Sequence, residues 1–407
     1  MSSVLEPVRA RWDALPARVR HYALPAVLIG LGILYPFYVD ILPSAFPAVS
    51  IAVVMLVFVM MALGLNIVVG YAGLLDLGYV AFYAVGAYVA AWLASLHFEQ
   101  VTFHFGSVGT PEDAPGIHIS VWLVLLVAGI VTTVAGILIG LPTLRLRGDY
   151  LAIVTLGFGE IIPVFVLNSD EQGIGFDLTH GAFGINPIDS MGFGPLSAIG
   201  LPEVYRTSEN RAELYFWTAL GLVLFTVFCS VRLRDSRLGR AWIAIREDET
   251  AAAAMGVPLM RTKTWSYAMG AFFGGVAGAF YAVYKSGAFP SDFYFQFSVF
   301  LLCMVILGGM GSIWGVIAGS LILSWLDREG LAKIGSWISD YSGQQIDVPK
   351  YAFGIYGTII VVMMLIRPAG LIPERRHKIE LEEGVHDTPF YDVQHEGSLT
   401  DRNPSDD

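Results

Sequence analysis

Residues 50–70 read SIAVVMLVFVMMALGLNIVVG, and no charged side chain interrupts this run. An α-helix rises 1.5 Å per residue, so about 20 apolar residues cross a hydrocarbon layer roughly 30 Å thick. Similar runs recur along the chain, which is 55% hydrophobic and only 14% charged over 407 residues. Soluble domains contain about 45–50% apolar residues. The sequence therefore predicts an all-α, polytopic membrane protein.

The apolar runs predict about ten transmembrane helices. They lie near residues 22–39, 50–70, 77–96, 119–141, 150–167, 214–231 and 265–284, with two more within 293–326 and a last one at 351–366. The stretch 293–326 is too long for one helix and is interrupted by GGMGS at 308–312. Such an interruption predicts a Gly-rich broken helix or a hairpin of two short spans. A re-entrant hairpin would change the count by one or two.

Basic residues in the loops predict the orientation, because cytoplasmic loops retain Lys and Arg. Residues 97–118 contain neither, and residues 168–213 contain two Arg against seven acids, so both loops are predicted to be external. Residues 232–264 contain seven basic residues, and Arg145 and Arg147 mark another short loop. The sequence thus predicts a cytoplasmic N-terminal segment (1–21), a transmembrane domain (22–367) with a cytoplasmic loop (232–264), and a cytoplasmic tail (368–407).

The net charge of −11 is concentrated at the C-terminus. Nine of the 35 acidic residues and one of the 24 basic residues lie in 379–407, so this segment carries −8 and the rest of the chain −3. We expect the tail to be disordered, because it is highly charged and has few apolar residues.

Motifs for catalysis, cofactors and metals are missing from the sequence. There is no G-x-x-x-x-G-K-[ST] loop for nucleotide phosphates, no H-E-x-x-H pair and no G-x-S-x-G nucleophile motif. Cys229 and Cys303 fall in apolar runs, and His97, His104 and His118 share one loop, where we expect them to be solvated. We therefore expect no ATP hydrolysis by this chain, no enzymatic activity, no cofactor and no metal site.

The segment 235–256, DSRLGRAWIAIREDETAAAAMG, predicts a short cytoplasmic helix over 246–256. The acids at 247–249 favour its start and Gly256 its end. Such a helix would present Ala252, Ala253 and Met255 as a small, smooth surface to a groove on a partner protein. The alternative is a connector that lies at the membrane surface.

Two carboxylates fall within the predicted spans, where an ionisable group is expected to face the bundle interior or an aqueous cavity. Asp76 lies among Gly70, Gly73 and Gly78, so it either lines a pathway or accepts hydrogen bonds from freed backbone amides. Glu160 ends the sequence GFGE, and a hydrogen bond between helices is its alternative role.

Several stretches together resemble the permease family of branched-chain amino-acid ABC importers, in particular its LivM-type branch. They are GYAGLLDLGYVAFYAVGAYVAAWL (70–93), LPTLRLRGDYLAIVTLGFGEIIP (141–163), SRLGRAWIAIREDETAAAAMGV (236–257) and GGMGSIWGVIAG (308–319). The resemblance implies a permease domain in the bacterial inner membrane, with both termini cytoplasmic. It implies as partners a second homologous permease, two cytoplasmic ATPases and an external substrate-binding protein, with a small amino acid as substrate and no nucleic acid.

The resemblance also assigns roles to residues. The helix 246–256 would be the coupling helix that contacts the ATPases, through Arg246, Glu249, Ala252, Ala253, Met255 and Gly256. Thr250 stands where the looser EAA-x-x-x-G signature has its Glu, and Glu249 is displaced by one position. The segment LTHGAFGI (178–185) resembles an L-T-G-G-x-x-G segment and adds Thr179 to the predicted substrate pathway, although His180 replaces a Gly and Phe183 a frequent Asn.

Three alternatives remain open at this stage. Uptake of urea or short-chain amides would use the same architecture. An ion-coupled secondary transporter should have paired discontinuous helices and several intramembrane carboxylates, whereas only two are evident here. A membrane-embedded enzyme is disfavoured because no cluster of His, Asp or Cys occurs within the predicted spans.

Overall fold

The computed structural model describes residues 29–41, 46–107, 111, 113–146, 148–192, 212–342 and 347–373. The predicted N-terminal segment 1–21, Arg147 and residues 374–407 of the predicted tail lie outside the described residues. The described chain is mainly helical, which confirms the predicted all-α polytopic class.

In chain order, the helices are α1 (Ile29–Tyr38), α2 (Val49–Asn66), α3 (Val80–Leu93), α4 (Val121–Thr143), α5 (Asp149–Leu167), α6 (Glu171–Ile174), α7 (Ala212–Asp235), α8 (Arg237–Glu247), α9 (Glu249–Ala254), α10 (Leu259–Lys285), α11 (Phe295–Gly308), α12 (Ile313–Trp325), α13 (Leu331–Ser342) and α14 (Ala352–Ile366). Turns of π-helix extend α2 over Ile67–Tyr71 and α12 over Leu326–Gly330.

Each apolar run predicted from the sequence overlaps at least one of these helices. Among the described residues, six helical segments are long and apolar enough to cross a membrane: Val49–Tyr71, Val121–Thr143, Asp149–Leu167, Ala212–Asp235, Leu259–Lys285 and Val348–Ile366. The helices α1, α3 and α11 are apolar but shorter. The count of about ten crossings therefore stays a prediction.

The Gly-rich interruption in 293–326 separates two helices. α11 ends at Gly308 and α12 begins at Ile313, and the two helices pack closely where they meet. A Cβ on Gly315 would lie 2.3 Å from the Gly308 carbonyl oxygen, so only glycine allows this approach. The structure thus has two short helices joined by a tight turn, one of the two arrangements that the sequence predicts.

The centre of the molecule is formed by α2 and α10. Within their most apolar windows, 89% of the α2 residues and 83% of the α10 residues are buried, against 33% in α5. α10 packs against α2, α3 and α4. It approaches α3 so closely that a Cβ on Gly86 would lie 2.0 Å from the Gly275 carbonyl oxygen. Small residues therefore allow the central helices to pack backbone to backbone.

The predicted external loop 97–118 contributes to a small sheet that the sequence analysis missed. The strands β1 (Ala94–Ser95), β2 (Thr102–Phe105) and β3 (Gly116–Ile119) form the order β1-β3-β2, antiparallel between β1 and β3 and parallel between β2 and β3. His118 is 1% exposed, its Nδ1 lies 2.7 Å from Asp189 Oδ2, and His104 stacks on it. The expectation that His118 is solvated was therefore wrong, whereas His104 keeps part of its surface exposed.

The residues that follow α14 pack against the α11–α12 turn. The amides of Leu371 and Ile372 donate hydrogen bonds to the carbonyl oxygens of Leu307, at 3.0 Å, and Gly308, at 3.2 Å. Residues 368–373 thus pack on the transmembrane domain, although the sequence analysis assigned them to the tail.

Candidate functional site

The segment predicted to be one helix over 246–256 is split in the structure. The backbone of Asp248 is extended, with φ −152° and ψ 112°, so α8 ends before it and α9 begins after it. The Asp248 carboxylate caps α9 by accepting hydrogen bonds from the amides of Thr250, at 2.7 Å, and Ala251, at 3.0 Å. Arg246 therefore lies in the last turn of α8 and not in the short helix.

Asp248 is held in its charged form. A hydrogen bond from the Thr250 hydroxyl, followed by those from the backbone amides of Ala251 and Thr250, lowers the pKa of the Asp248 carboxyl. A carboxylate at the N-terminus of a helix also interacts favourably with the helix dipole. The start of α9 is thus fixed by its own sequence.

The end of α9 is as predicted. Gly256 has φ +87°, which glycine adopts without a steric penalty. The amide of Val257 donates a hydrogen bond to the Ala252 carbonyl oxygen at 3.0 Å. The chain therefore turns sharply after the 6 residues of α9, as in a glycine-terminated C-cap.

The exposed part of α9 and its C-terminal turn is small and uncharged. Thr250 and Ala251 are exposed at its start, and Ala253, Ala254, Met255 and Gly256 are exposed at its end; these last four residues we call the α9 surface, and Met255 is 85% exposed. Ala252 is only 4% exposed and packs into the chain itself. The prediction that Ala252 faces a partner was wrong, because a helix this short must bury one side to stay docked.

Two contacts connect α8 to the membrane helices. Arg246 Nη1 donates a hydrogen bond to the Gly70 carbonyl oxygen in the π turn that ends α2, at 2.5 Å. The Trp242 indole is fully buried and its Nε1 donates to the Thr262 carbonyl oxygen of α10 at 2.8 Å. α8 is thereby anchored to both central helices.

A salt bridge connects α9 to α10. Lys263 Nζ lies 2.8 Å from Glu249 Oε1, and the two side chains are 4% and 28% exposed. The Glu249 carboxylate thus contacts the chain's own α10, while its predicted contact with an ATPase stays a prediction. The spacing of 14 residues between the partners gave no signal in the sequence.

Asp76 lies in an irregular segment, residues 72–79, between the π turn and α3. It is 2% exposed, and its Oδ1 accepts a hydrogen bond from the Gly78 amide at 2.8 Å. Its Oδ2 has no hydrogen-bond partner among the described residues. The carboxylate thus binds a freed backbone donor, one of its two predicted roles, and the pathway role stays a prediction.

Residues that sequence analysis did not single out hold this irregular segment. The amide of Leu77 donates to Thr155 Oγ1 of α5 at 3.1 Å, and that of Val80 donates to Ser298 Oγ of α11 at 3.0 Å. The Tyr79 hydroxyl donates to the Gly270 carbonyl oxygen of α10 at 2.8 Å. Thr155 and Ser298 thus satisfy amides that an interrupted membrane helix leaves free, and Tyr79 ties the segment to α10.

The two helix interruptions meet at Asn66. Its Oδ1 accepts a hydrogen bond from the Gly311 amide, in the α11–α12 turn, at 2.9 Å. A Cβ on Gly70 would lie 2.6 Å from the same amide nitrogen. Gly70 is therefore in contact with both the α11–α12 turn and Arg246 of α8.

The other two predicted pathway residues have surroundings that differ from those of Asp76. Glu160 is exposed on α5, and the part of the chain that the structure describes offers its carboxylate no hydrogen-bond partner. It does not face the interior of this chain. Thr179 is 1% exposed, and its hydroxyl donates to the Val166 carbonyl oxygen at 2.6 Å, which ties residues 178–180 to α5. Their pathway roles stay predictions.

The apolar helices are those of a multi-pass membrane protein, and the chain matches a family model of the transport-permease class. It belongs to the family described as branched-chain amino acid transport system / permease component, whose model matches residues 48–366. No solved structure matched the chain.

Three relatives illustrate the similarity. The high-affinity branched-chain amino acid transport system permease protein LivM of Escherichia coli is 35% identical over 370 residues, which cover 88% of this chain and 76% of that protein. A probable LivM of Methanocaldococcus jannaschii is 25% identical over 78% of this chain and 91% of its own. The permease protein LivH of Escherichia coli is 26% identical over 43% of this chain and 51% of its own.

Proposed function

We propose that this chain is one of two permease subunits of an ATP-driven importer for branched-chain or other small hydrophobic amino acids. Two cytoplasmic ATPase subunits and an external substrate-binding protein complete the importer. The chain resides in a bacterial inner membrane with both termini in the cytoplasm. The names of the LivM and LivH relatives support the substrate class and the pairing of two permeases.

The observation that carries the proposal is the geometry of α9. It is a separately capped helix in the basic loop 232–264, and it is docked on α10 through Lys263 while the α9 surface remains exposed. A short, uncharged surface of small residues fits a groove on another protein. The chain has no nucleotide-binding loop of the G-x-x-x-x-G-K-[ST] type, so in this proposal such a partner binds and hydrolyses the ATP.

The contacts of α8 and α9 provide a route from the ATPases to the transmembrane domain. A displacement of α9 acts on α10 through the Lys263–Glu249 salt bridge. Because α8 directly precedes α9, the displacement also acts on the end of α2 through Arg246 of α8, which donates a hydrogen bond to the Gly70 carbonyl oxygen. Gly70 adjoins Asn66 and the α11–α12 turn. In the proposed importer, motion of the coupling helix α9 thus reaches the two interruptions, the end of α2 and the α11–α12 turn.

The second permease covers the outward face of α5 in this proposal. Ile153, Ile161 and Val164 are each more than half exposed on this helix, and Glu160 lies among them. A carboxylate facing lipid in the middle of a span is unfavourable. A substrate pathway between the two permeases would give Glu160 an aqueous or polar neighbour.

Uptake by the assembled complex tests this proposal. Liposomes containing both permeases and both ATPases, supplied with the binding protein outside and ATP inside, should accumulate labelled leucine. Uptake should require ATP and persist when ionophores remove ion gradients. Accumulation of urea without leucine would favour the amide alternative, and uptake driven by an ion gradient without ATP would favour a secondary transporter.

A further inference from the structure

Three side chains capable of binding a metal meet on the predicted external side of the protein. His97 follows β1, whereas Asp177 and His180 lie in the segment between α6 and residue 185. One ligand atom from each residue lies within 4.8 Å of the other two. Among the described residues, no other group of three or more His, Cys, Asp or Glu side chains has ligand atoms this close together.

The three side chains are held together by their own hydrogen bonds. His97 Nε2 lies 3.2 Å from the Asp177 carbonyl oxygen, and His180 Nδ1 lies 2.6 Å from Asp177 Oδ2. The His180 amide donates a further hydrogen bond to Asp177 Oδ1 at 2.7 Å. The His180 imidazole thus contacts the Asp177 carboxylate, the His97 imidazole contacts the backbone carbonyl of the same residue, and the ligand atoms of all three side chains lie within 4.8 Å of one another.

The cluster is accessible and lies in an acidic cleft. Its three residues line a cavity of about 830 Å³, to which Glu99 and Glu171 also contribute. The His180 and Asp177 side chains are 54% and 34% exposed. A hydrated cation can therefore enter from the solvent, and the surrounding carboxylates attract it.

We infer that His97, Asp177 and His180 form a binding site for a divalent transition metal of the Zn²⁺ type. Imidazole nitrogens select such metals over Mg²⁺ and Ca²⁺, which prefer oxygen ligands. Zn²⁺ binds nitrogen and carboxylate oxygen at about 2.0–2.2 Å, and three protein ligands leave a fourth position for water. The bound ion would link the loop after β1 to the segment 177–180.

This site was not expected from the sequence, for a clear reason. His97 was grouped with His104 and His118 because they share a loop, but those two stack on each other instead. The partners of His97 lie some 80 residues further along the chain. The site is independent of the proposed transport function, since metal binding can be measured without substrate.

The test uses the purified full-length chain without a polyhistidine tag, in detergent or nanodiscs. Calorimetric titration with Zn²⁺ should give one ion per chain, and Co²⁺ should give the visible absorption of a low-coordinate nitrogen and oxygen site. The informative variant is His180→Gly. The backbone at His180 has φ +59°, which glycine adopts readily, so this variant should fold.

Removing a ligand should weaken Zn²⁺ binding at least about tenfold, because even residues that only support ligands contribute that much. His180→Gly and His97→Gln should both show this loss and lose the Co²⁺ absorption. The control His104→Gln, in the same external loop but outside the cluster, should bind as the unaltered chain does. The inference is overturned if the unaltered chain binds no Zn²⁺, or if His180→Gly binds it as tightly.

Discussion

At the scale of single residues, the Lys263–Glu249 salt bridge is the contact of α9 that a single substitution should weaken most. The lysine is almost fully buried, whereas the glutamate retains access to solvent. Taking an ammonium group out of water is unfavourable unless a carboxylate compensates for it. The pair therefore holds α9 on α10 only while both members are present.

This asymmetry gives a prediction for the two single variants. Glu249→Gln leaves the buried ammonium without its partner, and breaking a buried ion pair in this way costs about 3–5 kcal/mol. Lys263→Met leaves a carboxylate that water can still reach, so its effect should be smaller. The thermal midpoint of the purified chain should fall more for Glu249→Gln than for Lys263→Met.

The double variant Lys263→Met/Glu249→Gln is the control, because it removes both charges. It should recover most of the stability that Glu249→Gln loses. If the two single variants have equal effects that simply add in the double variant, the two side chains do not interact and the docking of α9 rests on Ala252 and the caps.

Single residues also show where sequence reasoning was limited. Asp76 and Glu160 were chosen because a carboxylate at membrane depth is rare, and the same reasoning applied to both. The structure buries Asp76 against the Gly78 amide and exposes Glu160. The cost of a charge in lipid predicts that such a group has a purpose, but the direction in which it points depends on the packing of its helix.

At the scale of elements, the interruption at Asp248 creates two helices with different tasks. α8 is anchored by Trp242 and Arg246, and α9 presents the α9 surface. The sequence indicated the acids and Gly256 correctly, because caps are local signals. It did not indicate the split, since any of the three acids at 247–249 could have capped the helix. Nor did it indicate the burial of Ala252, which depends on how α9 docks on the rest of the chain.

The α9 surface is tested by a bulky charge. In Ala253→Arg, the long side chain stands on an exposed position, so membrane insertion and thermal stability should remain close to those of the unaltered chain. The arginine should not fit a groove that receives alanine, and ATPase co-purification or substrate-stimulated ATP hydrolysis by the complex should be lost. Retention of both would mean that α9 is only a connector.

Two matched variants separate the possible causes. Ala253→Ser adds a single oxygen at the same position and should leave co-purification and stimulation intact. Ala252→Arg places the same charge one residue earlier, on the buried side, and should lower the yield and thermal stability of the isolated chain. If Ala252→Arg and Ala253→Arg behave alike, the burial of Ala252 does not distinguish the two positions.

The helices within the predicted spans were predictable because each is an apolar run, and apolar runs of this length have few alternatives. The strands β1 to β3 were not, because segments of two to four residues carry too little periodicity to be recognised. The pairings that assemble the site, such as Arg246 with Gly70 or Asn66 with Gly311, join residues 176 and 245 positions apart. Such pairings are set by tertiary packing and have no local signature.

At the scale of the whole molecule, the C-terminal region has two parts: residues 368–373 pack on the transmembrane domain, and residues 379–407 are strongly acidic. Residues 368–373 are integrated into the fold by the hydrogen bonds of Leu371 and Ile372 to the α11–α12 turn. Gly370 has φ +83°, and a Cβ there would lie 2.4 Å from the Gly309 Cα. Residues 379–407, by contrast, carry nine acids and one Arg and few apolar side chains.

This contrast predicts that the two parts respond differently to change. Deletion of 379–407 should leave complex assembly and leucine uptake unchanged, because a segment so rich in charge cannot bury enough apolar surface to pack. The deletion keeps the basic residues at 375, 376 and 378, so the positive charge that favours a cytoplasmic C-terminus is retained.

The full-length variant Gly370→Ala is the matched comparison: it keeps the tail but strains the backbone and clashes with Gly309, so it should lower thermal stability and uptake together. Assembly and uptake are measured for both proteins at equal membrane abundance. Loss of assembly on deletion of 379–407 would show that the acidic tail binds a partner, and an unaffected Gly370→Ala would show that the 368–373 contact does not stabilise the transmembrane domain.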